Sequence, residues 1–411
     1  MGPLKRVAEL PGPTRRIYHP IDRREDGPIL LYFPRGPLFE DGYPEESVIG
    51  SLAAVMPSTT IVRVNYRFGE NHKFPLALHD SVAAFDWVVE NLVRPRMIPT
   101  SASPASSSIL DNDFVSSRAP PKRRMLGVCG ELVGGSLASA LALTECRLGR
   151  SRITAAAVNN PLVDWTFGIV PATSVGPEAS PITESQDKDQ PSENHVAEPT
   201  KRRNKIRMPA IASSWTQYQN EHPSLSGSRL NALRSSGFPN TDSYLDPFAS
   251  PLFFFRTPDL ELHVPLTSED IPLDSSLDPP FVARRRSPRR YPPTGFGLSL
   301  PNMRVTVGTT NLLEYQGIEL AALMKRSMVM SARRAKEEEE GRSFLVSELD
   351  DGFSEQDQVF VNEARAQADR KVVIATSPGV GLWSSSGEPR TARDDLCDVG
   401  RWFHGVWGIS S

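Results

Sequence analysis

The stretch MLGVCGELVGGSLASALAL, residues 125–143, decides the fold. Residues 125–129 are apolar and end at a glycine, which is typical of a short buried strand. Residues 137–143 are apolar on most sides, which predicts a buried helix. Between them, Gly130, Gly134 and Gly135 permit a sharp turn of the backbone. A buried strand that turns directly into a buried helix indicates a parallel sheet covered by helices.

The flanking sequence repeats this alternation of strands and helices. Short apolar runs predict further strands at residues 29–33, 60–64, 154–158, 303–307 and 372–375. Apolar residues at steps of three and four predict a helix from Leu78 to Leu92, with Pro75 in its first turn. Further helices are predicted around residues 318–328 and around Trp402. We therefore expect an α/β fold, a mostly parallel sheet with helices on both faces.

Polar segments interrupt the predicted core without dividing it. Residues 1–411 are expected to form one domain with a small helical cap. Segments rich in serine, proline or charge predict disordered insertions and a cap, because they carry too little apolar surface to build a core. These are a disordered insertion at 99–121, a cap with a disordered insertion at 170–243, a disordered insertion at 257–298 and a charged insertion at 331–368.

The composition argues against several classes of protein. The net charge of −3 gives no reason to expect nucleic acid as a partner. Three cysteines without CxxC spacing favour a reducing compartment, and no metal or cofactor motif is visible. No apolar run is long enough for a membrane span, and residues 1–16 lack the apolar stretch of a signal peptide. These features predict an intracellular, cytoplasmic protein without a cofactor.

Four motifs in order resemble the hormone-sensitive-lipase-like esterases of the α/β-hydrolase fold. Residues 66–75, YRFGENHKFP, resemble that family's YRLAPE-x-x-FP segment. Residues 130–137, GELVGGSL, resemble its GDSAGG-x-L nucleophile elbow. Residues 244–252, YLDPFASPL, resemble the segment that returns from the cap, and 308–313, GTTNLL, resemble its G-x-x-D-x-L acid loop.

The resemblance implies catalytic positions that are occupied by unsuitable residues. The nucleophile position is Leu132, whose side chain cannot attack a carbonyl carbon. The acid position is Asn311, which cannot supply the charge that stabilises an imidazolium ion. The histidine position falls in residues 377–383, SPGVGLW, at Gly381 or Leu382, neither of which titrates.

The oxyanion loop and the elbow surroundings are altered as well. In place of HGGG this sequence has Pro34, Arg35, Gly36 and Pro37, and proline has no backbone N–H to donate. The resemblance implies that Val133, directly after the nucleophile position, is the other member of this site. Elbow or pocket positions are assigned to Gly130, Glu131, Gly134, Gly135 and Trp383.

Other reactive side chains have simpler explanations. Cys129 continues an apolar strand, and Ser136 lies one helical turn beyond the elbow, so both are expected to be buried and inert. Asp80 is expected to stabilise the start of its helix, and Asp164 to make a structural hydrogen bond. His72 and His79 are expected to face solvent, and His404 to lie at a helix end or on the surface.

Three functions follow from these expectations. The first is a catalytically silent protein whose pocket, lined by Leu132, Arg35, Trp383 and cap residues 213–245, binds a small apolar or acyl-like ligand, with Arg35 facing an acidic head group. The second is a silent protein with a filled pocket that binds a protein partner through its insertions. The third is an active carboxylic-ester hydrolase with a non-standard catalytic site. A Leu132 side chain packed against the cap would favour the second over the first.

Overall fold

The computed structural model describes the sheet, the helices that pack on it and part of the segment predicted to form the cap. The described residues are 5–7, 15–20, 26–38, 45–93, 124–147, 153–166, 225–258, 288–293, 298–339, 355–384 and 389–409. The predicted insertion at 99–121 lies outside them, as do 167–224 of the cap region and 259–287 of the insertion at 257–298.

The strands of the described chain form one mostly parallel sheet. They are β1 (Lys5–Val7), β2 (Arg15–His19), β3 (Ile29–Phe33), β4 (Thr60–Val64), β5 (Leu126–Glu131), β6 (Ile153–Asn159), β7 (Asn302–Gly308) and β8 (Val372–Ser377). Their order is β1-β2-β4-β3-β5-β6-β7-β8. The strands β1 and β2 are antiparallel to their neighbours, and β3 to β8 pair in parallel. The predicted α/β fold class is confirmed.

Helices cover both faces of the sheet. They are α1 (Glu45–Val55), α2 (Leu76–Val88), α3 (Val133–Thr144), α4 (Gly227–Gly237), α5 (Thr241–Leu245), α6 (Glu314–Glu339), α7 (Glu355–Lys371) and α8 (Pro389–Trp407). Because side chains alternate along a strand, Leu31 of β3 packs towards α2, α3 and α6, whereas Leu30 and Tyr32 pack towards α1 and α8. Each face therefore has its own apolar cluster.

A third apolar cluster, which we call the elbow cluster, lies where the cap meets the turn after β5. It joins Leu132 and Leu382 of the sheet loops to Leu230 and Leu233 of α4, and the remaining buried members are Leu38, Phe74, Val133, Leu162, Trp165, Leu225, Phe238, Ala249, Leu312 and Leu313. The elbow cluster is closed by aromatic contacts, among them an edge-to-face pair of Trp165 and Phe238 with ring centroids 5.0 Å apart. The cap thus packs directly on the elbow.

The structure shows ordered pieces within two of the predicted insertions. Much of 331–368 is helical, because α6 runs on to Glu339 and α7 packs against it through an ion pair of Lys336 and Asp357, 2.9 Å apart. At the end of the 257–298 segment, Tyr291 is buried and donates a hydrogen bond to the Leu143 carbonyl oxygen over 2.7 Å. Charge and proline content concealed these ordered pieces.

Candidate functional site

The turn from β5 to α3 has a strained backbone at Leu132. This residue has φ 52° and ψ −113°, a conformation that costs a non-glycine residue about 1–3 kcal/mol. Its amide N–H donates to the carbonyl oxygen of Asn159 at the end of β6, and its own carbonyl accepts from Ser136 and Leu162. These hydrogen bonds hold the turn in the sharp conformation that the motif predicts.

The turn requires glycines because backbone segments pass so close to each other here that no room is left for a Cβ atom. A Cβ atom at Gly134 would lie 2.1 Å from the Pro34 carbonyl oxygen, and one at Gly130 would lie 2.4 Å from the Gly134 carbonyl oxygen. Gly135 is less tightly constrained, because a Cβ atom there would lie 3.2 Å from the nearest Pro161 atoms. Backbone atoms cannot move aside as a flexible side chain can, so Gly130 and Gly134 are required by packing.

The side chain at the tip of the turn is fully buried. Leu132 is 0% exposed and belongs to the elbow cluster with Leu230 and Leu233 of α4. An isobutyl group has no lone pair to attack a carbonyl carbon and no proton to transfer. Leu132 therefore takes part in the apolar packing between the turn after β5 and α4 and offers no reacting atom.

Asn311 lies in the loop after β7 and is joined to the loop after β8. Its side-chain amide nitrogen donates to the Val380 carbonyl oxygen over 2.8 Å, and its amide oxygen accepts from the Leu313 N–H over 2.9 Å. Asn311 is 1% exposed. The amide thus bridges the predicted acid and histidine loops with neutral hydrogen bonds.

The loop after β8 points successive side chains to different faces of the sheet. Leu382 joins Leu132 in the elbow cluster, the contact expected of the predicted histidine position. Trp383, which we predicted to line the pocket, instead packs on the opposite face with Tyr32 and Phe403. The reason is that its backbone N–H is fixed to the Glu131 side chain, which turns the indole away from the cap.

A buried polar network lies beside the elbow. Glu131 is 0% exposed and accepts hydrogen bonds from the Trp383 N–H (2.5 Å), the Ser384 hydroxyl (2.5 Å) and the Asn159 amide (2.9 Å). Burial raises the pKa of the Glu131 carboxyl, while these hydrogen bonds and the nearby Arg35 charge act in the opposite direction. Sequence reasoning missed Ser384 and Asn159, although a polar pair, Asn159 and Asn160, at the end of an apolar strand was a usable signal.

Arg35 was predicted to face an open pocket, but the structure shows it buried. The residue is 5% exposed, and its guanidinium donates to the Ser384 hydroxyl over 3.2 Å and to the Ser384 carbonyl oxygen over 3.4 Å. Buried Glu131 draws this charge inward, because a buried cation needs a partner. Gly36 has φ 85°, the left-handed region that favours glycine, and the Tyr66 hydroxyl donates to the Pro34 carbonyl oxygen over 2.7 Å.

Other candidate side chains have structural partners. Cys129 is 0% exposed and burial raises the pKa of its thiol, so thiolate formation is disfavoured. The Ser136 hydroxyl donates to the Ala249 carbonyl oxygen over 3.1 Å. Asp80, predicted to stabilise a helix start, instead forms a two-point ion pair with Arg67 at 2.8 and 3.0 Å.

Asp164 makes the structural contacts that we expected. It pairs with Arg256 over 2.7 Å and accepts a hydrogen bond from the Thr166 hydroxyl over 2.6 Å. Arg256 also pairs with Glu319 of α6 over 2.8 Å. This buried triad connects the loop after β6 to α6 and has no reacting role in the geometry.

Four histidines lie in the described part of the chain. His19 ends β2, and His72 and His79 are exposed, as predicted. His404 lies in the last turn of α8, which confirms the helix-end alternative, but it is buried and not on the surface, with its Nε2 atom unpaired. Burial lowers the pKa of His404. His195, His222 and His263 are outside the described residues.

The described residues contain no group of three or more histidine, cysteine, aspartate or glutamate side chains arranged to hold a metal ion. Within the same residues, no helix is both long and apolar enough to cross a membrane.

Comparison with known proteins agrees with this geometry. Residues 44–241 match a family model described as the α/β-hydrolase fold. A carboxylesterase of Mycobacterium tuberculosis is 32% identical over 76 residues, which span 18% of this chain and 24% of that enzyme. An arylesterase of Saccharolobus solfataricus is 30% identical over 76 residues, again 24% of its length.

Solved esterase structures are similar to this chain in fold. An esterase of Pyrobaculum calidifontis aligns over 96% of this chain and 81% of its own, with a TM-score of 0.51 and 17% identity. Carboxyl esterase 2 of the fungus Tuber melanosporum aligns over 98% and 87%, with a TM-score of 0.51 and 13% identity. At these identities the likeness concerns the fold. Together with the elbow and the family match over residues 44–241, it shows that this chain has the α/β-hydrolase fold and resembles esterases of that fold.

Proposed function

We propose that this chain is a catalytically silent member of its family that acts by binding a protein partner. The observation that carries the proposal is the fully buried Leu132 side chain at the nucleophile position, packed against α4. A filled elbow leaves no reacting atom and no space for an acyl group at that point. This packing favours partner binding over ligand binding, because Arg35 and Trp383 also turn away from the cap.

The other catalytic positions support the same proposal. Asn311 uses its amide as a hydrogen-bond donor to Val380, an interaction that a carboxylate cannot make. Leu382 packs with Leu132 where a base would be required. Pro37 has no N–H to offer a developing oxyanion, and losing one such donor typically costs about 10²–10³ in rate.

A carboxylic-ester hydrolase is the second candidate, and the comparisons favour it. The relatives that match by sequence are named carboxylesterase and arylesterase. An active enzyme would need a nucleophile other than Leu132, with a base in reach.

Labelling by a fluorophosphonate probe, together with hydrolysis of short- and medium-chain p-nitrophenyl esters, separates the two candidates. We expect the wild type to remain unlabelled and to hydrolyse ester no faster than a heat-killed blank. Stoichiometric labelling together with ester turnover would overturn the proposal that the protein is catalytically silent, and the labelled residue would identify the nucleophile.

A Leu132→Ser, Asn311→Asp, Leu382→His variant is the matched control for this experiment. It places a serine, an acid and a base at three loops that the structure already brings together, and labelling at position 132 would show that the assay detects a competent elbow. Circular dichroism must show that both proteins are folded.

A further inference from the structure

The buried network around Glu131 joins three loops at the ends of sheet strands. Arg35 lies in the loop after β3, Glu131 ends β5, and Trp383 and Ser384 lie in the loop after β8. All of them are at most 5% exposed. No solvent competes for these hydrogen bonds, so each contributes more than it would at the surface.

The donors and acceptors in this network are complementary. Arg35 has only donors, so the Ser384 hydroxyl oxygen accepts a hydrogen bond from its guanidinium over 3.2 Å. The same hydroxyl donates a hydrogen bond to the Glu131 carboxylate over 2.5 Å. The second Glu131 oxygen accepts from the Trp383 N–H and the Asn159 amide. Ser384 therefore links the Arg35 guanidinium to the Glu131 carboxylate through two hydrogen bonds.

The same loop also carries a residue of the elbow cluster. Leu382 precedes Trp383 by one position and packs in the cluster that contains Leu132 and Leu230. Fixing the Trp383 backbone to Glu131 therefore fixes Leu382 beneath the cap. Asn159 and Asn160 hold the Gly381 carbonyl oxygen, both over 2.8 Å, from the neighbouring strand end.

We propose that Glu131, Ser384 and Arg35 form a latch that holds the loops after β3 and β8 closed over the elbow, and that breaking it loosens these loops while the sheet stays intact. The inference rests on the proposed function in one respect, that the site is a closed one. Burial of an ionisable carboxyl is costly, as the raised pKa of Glu131 reflects, and the shared partners offset that cost.

Amide hydrogen exchange of the full chain tests the latch, using Glu131→Gln and Arg35→Met. Each variant should accelerate exchange at Gly36 and at residues 379–384 by at least about fivefold, the lower end of what an unsatisfied buried polar group costs. Exchange at Val62 and Val64 of β4 should be unchanged. The double variant should accelerate loop exchange by less than the product of the two single effects, because both remove the same connection.

Asp395→Asn is the matched control. Asp395 accepts a hydrogen bond from the Ser377 hydroxyl over 2.6 Å at the end of β8, so it is also a carboxylate–serine pair, and burial raises the pKa of its carboxyl too. This variant should leave Gly36 exchange at the wild-type rate.

Two results would overturn the latch. One is unchanged loop exchange in Glu131→Gln and Arg35→Met. The other is equal acceleration of loops and β4, which would make Glu131 an ordinary core residue. If Glu131→Gln does not fold, Arg35→Met is judged by the same criteria. Ester turnover plays no part in this readout, so the latch and the proposed function can fail independently.

Discussion

Asn311 and Val380 connect two loops through one neutral hydrogen bond, from the side-chain amide nitrogen of the first to the backbone carbonyl oxygen of the second, over 2.8 Å. In a serine hydrolase of this fold, an acid at the first loop would orient a histidine on the second. Here the Asn311 amide nitrogen donates directly to the backbone of the second loop, and this particular contact involves no charged group.

Replacing Asn311 by aspartate should destabilise the protein in a pH-dependent manner. A carboxylate would face the Val380 carbonyl oxygen without a donor, at a position that is 1% exposed, so we expect a loss of about 3 kcal/mol or more near pH 8. Burial and the facing carbonyl should raise the pKa of the new carboxyl. A raised carboxyl pKa means that the folded state binds more protons, so stability is retained at acid pH and lost as pH rises.

Urea unfolding of Asn311→Asp between about pH 4.5 and pH 8 measures this effect. Asn302→Asp is the matched control, since Asn302 also donates to a backbone carbonyl, that of Thr154, but is only half-buried. A deficit in Asn311→Asp that does not grow with pH would contradict the prediction.

Because the backbone at Leu132 is strained, glycine at this position should give a more stable protein than alanine, which is the reverse of the usual order. Leu132→Ala should cost about 2–5 kcal/mol through the cavity it leaves in the elbow cluster. Leu132→Gly leaves a similar cavity but relieves the conformation at φ 52°, so it should be more stable than Leu132→Ala by about 1 kcal/mol.

Leu230, buried in α4, provides the control for this comparison, because it lies in an ordinary helix. There, glycine should be less stable than alanine by about 0.5–1 kcal/mol. Chemical denaturation of the four variants gives both differences, and the same ranking at both positions would show that the Leu132 backbone carries no strain.

His404 should make the protein less stable at acid pH. Burial lowers its pKa from the ordinary value, so the unfolded chain binds a proton that the folded chain excludes. Stability should therefore fall as pH drops below about 6.5, the unperturbed histidine pKa. His404→Gln should remove part of this slope, whereas His72→Gln, at an exposed position, should keep it. Parallel curves of unfolding free energy against pH for the wild type and both variants would show that His404 does not cause this pH dependence.

Removing Arg256 should be among the most damaging single changes in this chain. The Arg256→Met variant leaves two nearly buried carboxylates, Asp164 and Glu319, without their cation, which typically costs about 3–5 kcal/mol. Arg401→Met, which breaks an exposed pair with Asp398, should change stability by no more than about 0.5 kcal/mol. Thermal and urea unfolding compare the two, and an equal effect would argue against the buried triad.

The central strands were predictable because both of their faces are buried. Residues 29–33 and 60–64 form strands with the predicted bounds, since continuous apolar runs have one structural explanation in a parallel sheet. The strands β1 and β2 escaped prediction, because Arg15 and Arg16 give β2 a polar start and little alternation. Helix α7 escaped because it buries only small residues, Ala364 and Ala368.

The site was predictable as a set of backbone positions, and much less as a set of side-chain directions. Motif order placed Leu132, Asn311 and Leu382 at three strand ends that the fold brings together. The direction of Arg35 and Trp383 depends on a partner, Glu131, whose burial no local pattern reveals. Long-range polar pairing of this kind overrides the orientation that a motif suggests.

The leucine at φ 52° also has a consequence for design. The sharp turn persists here with a side chain that takes no part in chemistry, so its shape is imposed by the crossing of β5 and α3 and by their glycines. The backbone conformation at position 132 is thus set by the surrounding turn and not by the side chain at that position. A reactive side chain at position 132 would already have this backbone conformation. It would also need space beneath the cap, and the leucine side chain now fills that space.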